Sequence, residues 1–195
     1  MEVAYAPELT ICGIEELPAH SARKVTHVLS IIDPDRAELD AFASYGDHVR
    51  TTLRFHDIIA AIPGQIMPAP DHVEDILKFG EAFLARADRA ASSHVLVHCH
   101  MGVSRSTAAM MSLMAQANPE ESAEGLFLRL AKIRPQAWPN SRMIAFADEQ
   151  LGRNGELTAA LRRHYGRQIT MQPELSDWMT RLGRQAEVDM AQHSA

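Results

Sequence analysis

The five residues His94-Val95-Leu96-Val97-His98 constrain this chain more than any other stretch. They form a short β-branched run with hardly a polar interruption, and they stop at Cys99, where a loop and then a helical pattern begin. Such a run suits a strand covered on both faces, the kind found inside a parallel sheet. Residues 9–14, 25–32 and 49–55 read as further strands, the second of them closed by a turn at Asp33-Pro34. Between them lie helical patterns over 36–45 and 71–91. The longer one carries Val73, Ile76, Leu77, Phe79, Phe83 and Leu84 on one stripe, with Asp71 as its cap and Glu74 as the reach-back partner. Beyond residue 104 the patterns are all helical, at 104–116, 119–133, 140–151, 156–165 and 174–191. Strands alternating with helices, followed by helices alone, predict an α/β fold: a central, mostly parallel sheet flanked by helices, with an all-helical C-terminal half. Residues 1–151 make the main domain. After Gly152-Arg153-Asn154-Gly155, residues 152–195 make a helical extension, whose Leu157 and Leu161 pack on the same domain or on a second subunit.

Composition narrows the class. At 195 residues and 46% hydrophobic the chain has enough apolar mass for one domain and its extension. Two cysteines cannot staple a secreted scaffold, and a net charge of -6 argues against coating nucleic acid or an anionic membrane. No apolar run nears the roughly 18 residues of a spanning helix. Glu2, Glu8, Glu15 and Glu16 spoil a signal peptide. The expectation is a soluble, cytoplasmic protein, its oligomeric state left open.

The chemistry concentrates in His98-Cys99-His100-Met101-Gly102-Val103-Ser104-Arg105-Ser106. A bare C-x5-R is weak evidence, arising by accident about one time in six in a chain of this composition. The neighbouring His, Gly and hydroxyl residues, and the strand-loop-helix setting, make it strong. A loop turning from strand into helix can aim the backbone N–H groups of residues 100 to 105 at one centre, and the helix N-terminus adds to their field. That is a phosphate site, formed by His100, Met101, Gly102, Val103, Ser104 and Arg105. The same field favours a thiolate, which makes Cys99 a nucleophile at neutral pH. Arg105 offers a planar fork for two phosphoryl oxygens. Gly102 permits backbone angles that a side chain would block. Ser106, or failing it Thr107, can donate to the sulfur as it leaves.

The segment HCHMGVSRS resembles the phosphate-binding loop of the cysteine-based protein phosphatases, closest to the dual-specificity and tyrosine phosphatase group with its HC-x-x-G-x-S-R-S pattern. Residues 25–32 are similar to that group's early strand, and Arg134-Pro135 with Pro139-Asn140 to its segment before the last core helix. The resemblance covers about residues 9 to 151. It implies a phosphomonoester hydrolase in which Cys99 attacks phosphorus and water then hydrolyses the phosphocysteine, with no metal and no cofactor. It also implies an aspartate acting as general acid from a loop ahead of the helix that precedes the nucleophile strand. Asp57 is the first choice. Asp71 is the rival, though helix capping would occupy its carboxylate.

Other readings stay open. His94, His98 and His100 suggest zinc, but no outer ligand set is visible. Cys12 is a core residue or a disulfide partner for an oxidised Cys99. Asn140 braces the loop or caps its helix, Trp138 and Trp178 pack, and Arg162, Arg163 and Arg167 form a solvated face or dock an acidic partner. A loop interior without lysine fits one phosphate at a time, on a phosphotyrosine side chain first, with phosphoserine or phosphothreonine possible. A small phosphomonoester, a phosphate-binding module without catalysis, and rhodanese-like sulfur transfer are the alternatives. Peroxide should abolish the activity that depends on Cys99, and thiol reductant should restore it; inactivation that reductant leaves unchanged would argue against an activated thiolate.

Overall fold

A computed structural model describes residues 7–87 and 93–191. In chain order its elements are β1 (Glu8–Cys12), α1 (Leu17–His20), β2 (His27–Ile32), β3 (Val49–Arg54), α2 (Pro70–Ala87), β4 (His94–His98), α3 (Arg105–Ala117), α4 (Ala123–Ile133), α5 (Ser141–Gln150), α6 (Glu156–Met171), α7 (Glu174–Arg181) and α8 (Gln185–Met190). The four strands form one sheet in the order β1-β4-β2-β3, and every neighbouring pair is parallel. The apolar run at 94–98 is thus an inner strand, as its composition requires, with His98 opposite Cys12 on one side and Ser30 on the other.

The period of two along each strand sorts its side chains onto two faces. Leu29, Ile31, Leu53, Val95 and Val97 join the large core made with α2 to α7, whereas Val28 and Leu96 join a smaller cluster with Cys12, Leu17 and Phe42. α3 is buried nearly all round, from Arg105 to Ala115. Helices α2, α4 and α5 pack on it, and α6 in turn packs on α4 and α5. Leu157 and Leu161 lie fully buried in this same core, which Leu175 and Met179 of α7 also join. Arg162 and Arg163 are exposed, as a solvated face requires, and on that face Arg163 and Arg167 both pair with Glu124 of α4.

Three helical expectations need correction. Over 36–45 only Asp40–Ser44 turns, as a short 3-10 helix. The guanidinium of Arg54 takes the carbonyls of Asp33, Pro34 and Arg36, which holds the preceding stretch open. The helix expected from Asp71 starts one residue earlier, with Pro70 in its first turn, where the missing N–H costs nothing. Glu74 pairs with Lys78 instead of reaching back, and the last residues of the expected 71–91 helix lie outside the described residues. Finally, 174–191 is two helices. Gly183 takes a left-handed φ of +75° and breaks the run between α7 and α8. Among the described residues no helix is long and apolar enough to cross a membrane.

Two histidines are buried as neutral rings. His98 sits in β4 against Ser30 Oγ at 2.7 Å, and His164 of α6 donates to the Ala137 carbonyl at 2.8 Å. Burial pushes each down from 6.5 to about 4. The unfolded chain therefore binds more protons than the fold at mildly acid pH. Their contribution is whole above about pH 6.5 and is lost as pH falls towards 4, on the order of 3 kcal/mol each at the full shift. Urea unfolding from pH 7 to 4.5 should show stability falling across that window. His164→Gln, which keeps an N–H donor and does not titrate, should flatten the slope; a slope unchanged by the substitution would contradict the assignment.

Candidate active site

Cys99 follows β4 directly and Arg105 opens α3, so residues 100–104 bridge strand end and helix start. Every carbonyl in the bridge is engaged from outside. The His100 carbonyl accepts from Ile14 N at 3.0 Å and that of Val103 from Trp138 N at 2.8 Å, while Ser104 O accepts from Asn140 N at 3.4 Å. Arg134 clamps the other two, donating from Nη2 to Met101 O and from Nε to Gly102 O, both at 3.0 Å. Its guanidinium is held by Glu16 through two bonds of 2.8 Å, and these hold the Glu16 carboxyl below its usual range. A trans peptide with its C=O turned outward presents the following N–H on the opposite side. The loop amides therefore face the centre around Cys99, as an anion cradle requires.

Gly102 makes this possible. Its φ is +69°, and a Cβ there would lie 2.5 Å from the Cys12 carbonyl carbon, against backbone that cannot give way. Cys99 is buried, with Sγ 3.1 Å from Ser106 Oγ. Arg105 is also buried; its Nη1 donates to Asp33 Oδ1 at 2.7 Å and to the Phe55 carbonyl at 2.5 Å. These bonds fix one edge of the fork, and Nε has no protein partner among the described residues. Cys12 lies behind the loop as a protonated thiol, pushed up to about 12 by burial.

The cradle floors a cavity of about 360 Å³. Asp33 after β2, His56 and Asp57 after β3, and Cys99 after β4 all line it, so the site lies beyond the carboxyl ends of the parallel strands. Ile58 and Gln65 bring in the proline-punctuated loop, which two bonds between His56 and Ile66 hold down. Asp57 points one oxygen, Oδ1, at three donors: Ser104 Oγ at 2.8 Å, Asn140 Nδ2 at 3.0 Å and Arg184 Nη1 at 3.1 Å. Asn140 also caps α5, its Oδ1 accepting from Arg142 N and Met143 N, so it both braces and caps. Asp71 is exposed in the first turn of α2 and does not line the cavity.

The remaining wall comes from the C-terminal segment: Trp178, Met179, Leu182 and Arg184. Trp178 packs against the core, as expected, and also lines the cavity. Arg184 is held from behind by Glu187, which is fully buried and also accepts from Trp138 Nε1 and Ser141 N, each bond 2.7 Å. Burial works against the charge of Arg184, but Asp57 and Glu187 outweigh it and raise its pKa above the usual arginine value. The sequence gives no sign of Arg184, Glu187 or Asp33, since each is a lone charge outside any motif. The histidines suggested for zinc are not gathered at one point: His94 bonds Thr10, His98 bonds Ser30, and His100 is exposed at the cavity. Among the described residues no group of three or more His, Cys, Asp or Glu could hold a metal ion.

No family model matches the chain. It is 32% identical over 158 residues to the human protein phosphatase Slingshot homolog 3, a match covering 80% of this chain and 20% of that one. The chain thus spans about a fifth of the length of this relative. Its fold is similar to that of human DUSP28, with a TM-score of 0.56 and 15% identity over 76% of this chain and 94% of the other. It is also similar to the PTP-2 phosphatase of Cydia pomonella, with a TM-score of 0.56 and 21% identity over 74% and 86% of the two chains. The human tyrosine phosphatase-like serine/threonine/tyrosine-interacting protein matches at a TM-score of 0.55 and 17% identity, over 76% and 94%.

Gly102→Ala must push the loop off the end of β1. Its affinity for inorganic phosphate or vanadate, followed by inhibition or calorimetry, should fall at least about tenfold, in line with loss of one charge-assisted contact. Undiminished affinity would show that the cradle does not depend on this close approach.

Proposed function

We propose that the chain is a cysteine-based phosphatase of the dual-specificity type, as its sequence match and its fold support, and that it hydrolyses phosphomonoesters through a phosphocysteine on Cys99. The observation that carries the reading is the convergence of Cys99, Arg105 and Asp57 on one cavity. The phosphoryl group binds in the cradle, with the loop N–H groups and the free edge of Arg105 on its equatorial oxygens, where they strengthen as charge develops. Cys99 attacks phosphorus as a thiolate, and the bond to the leaving oxygen breaks. Asp57 gives that oxygen its proton. In the second step water attacks phosphorus, Asp57 takes the proton, and the sulfur leaves with Ser106 Oγ at 3.1 Å to stabilise it. No step draws on a metal or a cofactor.

The cavity lining favours an aryl phosphate. Trp178, Met179, Leu182 and Ile58 give an apolar wall, and Met101 at the mouth is 51% exposed. A tyrosine ring covers such a surface, whereas the short side chains of phosphoserine and phosphothreonine do not. The substrate we propose is therefore a phosphotyrosine side chain, with a small phosphomonoester as the second choice. The reaction needs Cys99 reduced, which suits a reducing compartment such as the cytoplasm.

With p-nitrophenyl phosphate and a phosphotyrosine peptide, Cys99→Ser should abolish turnover and EDTA should leave it unchanged. Asp57→Asn should lower kcat by about 10²- to 10⁴-fold with KM little altered. Tight phosphopeptide binding by the wild type with no turnover would instead make the chain a binding module, and a kcat untouched in Asp57→Asn would move the acid elsewhere.

A further inference from the structure

We infer that Arg184 is a positioning residue for the general acid, so that the corner between α7 and α8 belongs to the catalytic machinery; this rests on the reading of Asp57 given above. Burying a guanidinium is costly unless it is paired and fully bonded. Glu187, three residues away and fully buried, already balances the charge of Arg184 through a bond of 2.7 Å. The other arm nevertheless reaches 127 residues back along the chain to Asp57 Oδ1 and 80 residues back to Ser104 Oγ, both at 3.1 Å. That reach connects the acid, the phosphate loop and the C-terminal segment at one point.

The bonds have a direction that matters for proton transfer. Ser104, Asn140 and Arg184 all donate to Oδ1. A carboxylic acid carries its proton on the oxygen not already occupied by donors, so loading Oδ1 reserves Oδ2 for the proton. Turning the carboxyl about its bond would put the proton against a guanidinium. Arg184 thereby fixes which oxygen faces the leaving group. It is in turn fixed by its surroundings. The left-handed Gly183 turns the chain inward, Arg184 N donates to Met179 O at 2.9 Å, and Trp138 and Ser141 pin Glu187 behind it.

A bolt that only attached the C-terminal helices would affect all substrates alike. The test is a set of full-length proteins, Arg184→Met, Arg184→Lys, Asp57→Asn and the double substitution Arg184→Met with Asp57→Asn. Each is assayed on a series of aryl phosphates of rising leaving-group basicity, with melting curves to confirm the fold. Arg184→Met should lower kcat by about 10- to 100-fold on the poorest leaving groups and much less on the best, with KM nearly unchanged. In the Asp57→Asn background the same change should cost less than about threefold, because both act through one proton. Arg184→Lys, which keeps the charge but loses the fork, should fall between. Should Arg184→Met melt below the assay temperature, Arg184→Lys carries the same readings. A loss equal for all leaving groups, a loss confined to KM, or losses that multiply in the double substitution would overturn the inference. An Asp57→Asn protein with unaltered kcat would instead overturn the reading of Asp57 itself.

Discussion

Everything at the site depends on where five carbonyls point. Between His100 and Ser104 the peptide planes must turn their oxygens away from Cys99, and a loop of this length has no internal partners to hold them there. The hold comes from outside: Ile14 after β1, Arg134 and Trp138 after α4, and Asn140 ahead of α5. These partners belong to two separate parts of the chain, the turn after β1 and the 134–140 connection between α4 and α5, so the cradle exists only once the sheet, α3 and these helices have packed together. Arg134 illustrates the economy of the arrangement. One guanidinium satisfies two loop carbonyls and takes its countercharge from Glu16, beside the end of β1.

How much of this was legible in the sequence varies with the range of the interaction. The inner strand 94–98, the loop after it and the opening of α3 were readable because each is local: a period of two, a C-x5-R spacing and a helix start. The break in 174–191 was not read, although Gly183 marks it, because an isolated glycine in a helical pattern is often tolerated. The pattern over 36–45 looked helical, and Arg54 takes the Arg36 carbonyl that the first turn of such a helix would have used. Asp57 could be singled out only through the family resemblance. Its three donors come from residues 104, 140 and 184, and no single-sequence pattern links those positions.

The C-terminal segment changes standing most. It reads as an appendage, yet Leu157, Leu161, Leu175 and Met179 sit in the core shared with the sheet. Arg184 and Glu187 carry that packing into the cavity as a buried ion pair. The consequence is a site in which Asp57, the 100–104 loop and the apolar wall share one support. A disturbance of α7 or α8 reaches Asp57 and Ser104 without touching Cys99.

The central claim is that phosphorus passes through the sulfur of Cys99. Mixing the protein with a phosphotyrosine peptide, quenching in acid within one turnover and mapping the digest by mass spectrometry tests it most directly. The account predicts a single phosphoryl group on the peptide that carries Cys99, lost when Cys99 is serine. A phosphoryl group on His100, or turnover with no covalent species at any time point, would contradict it.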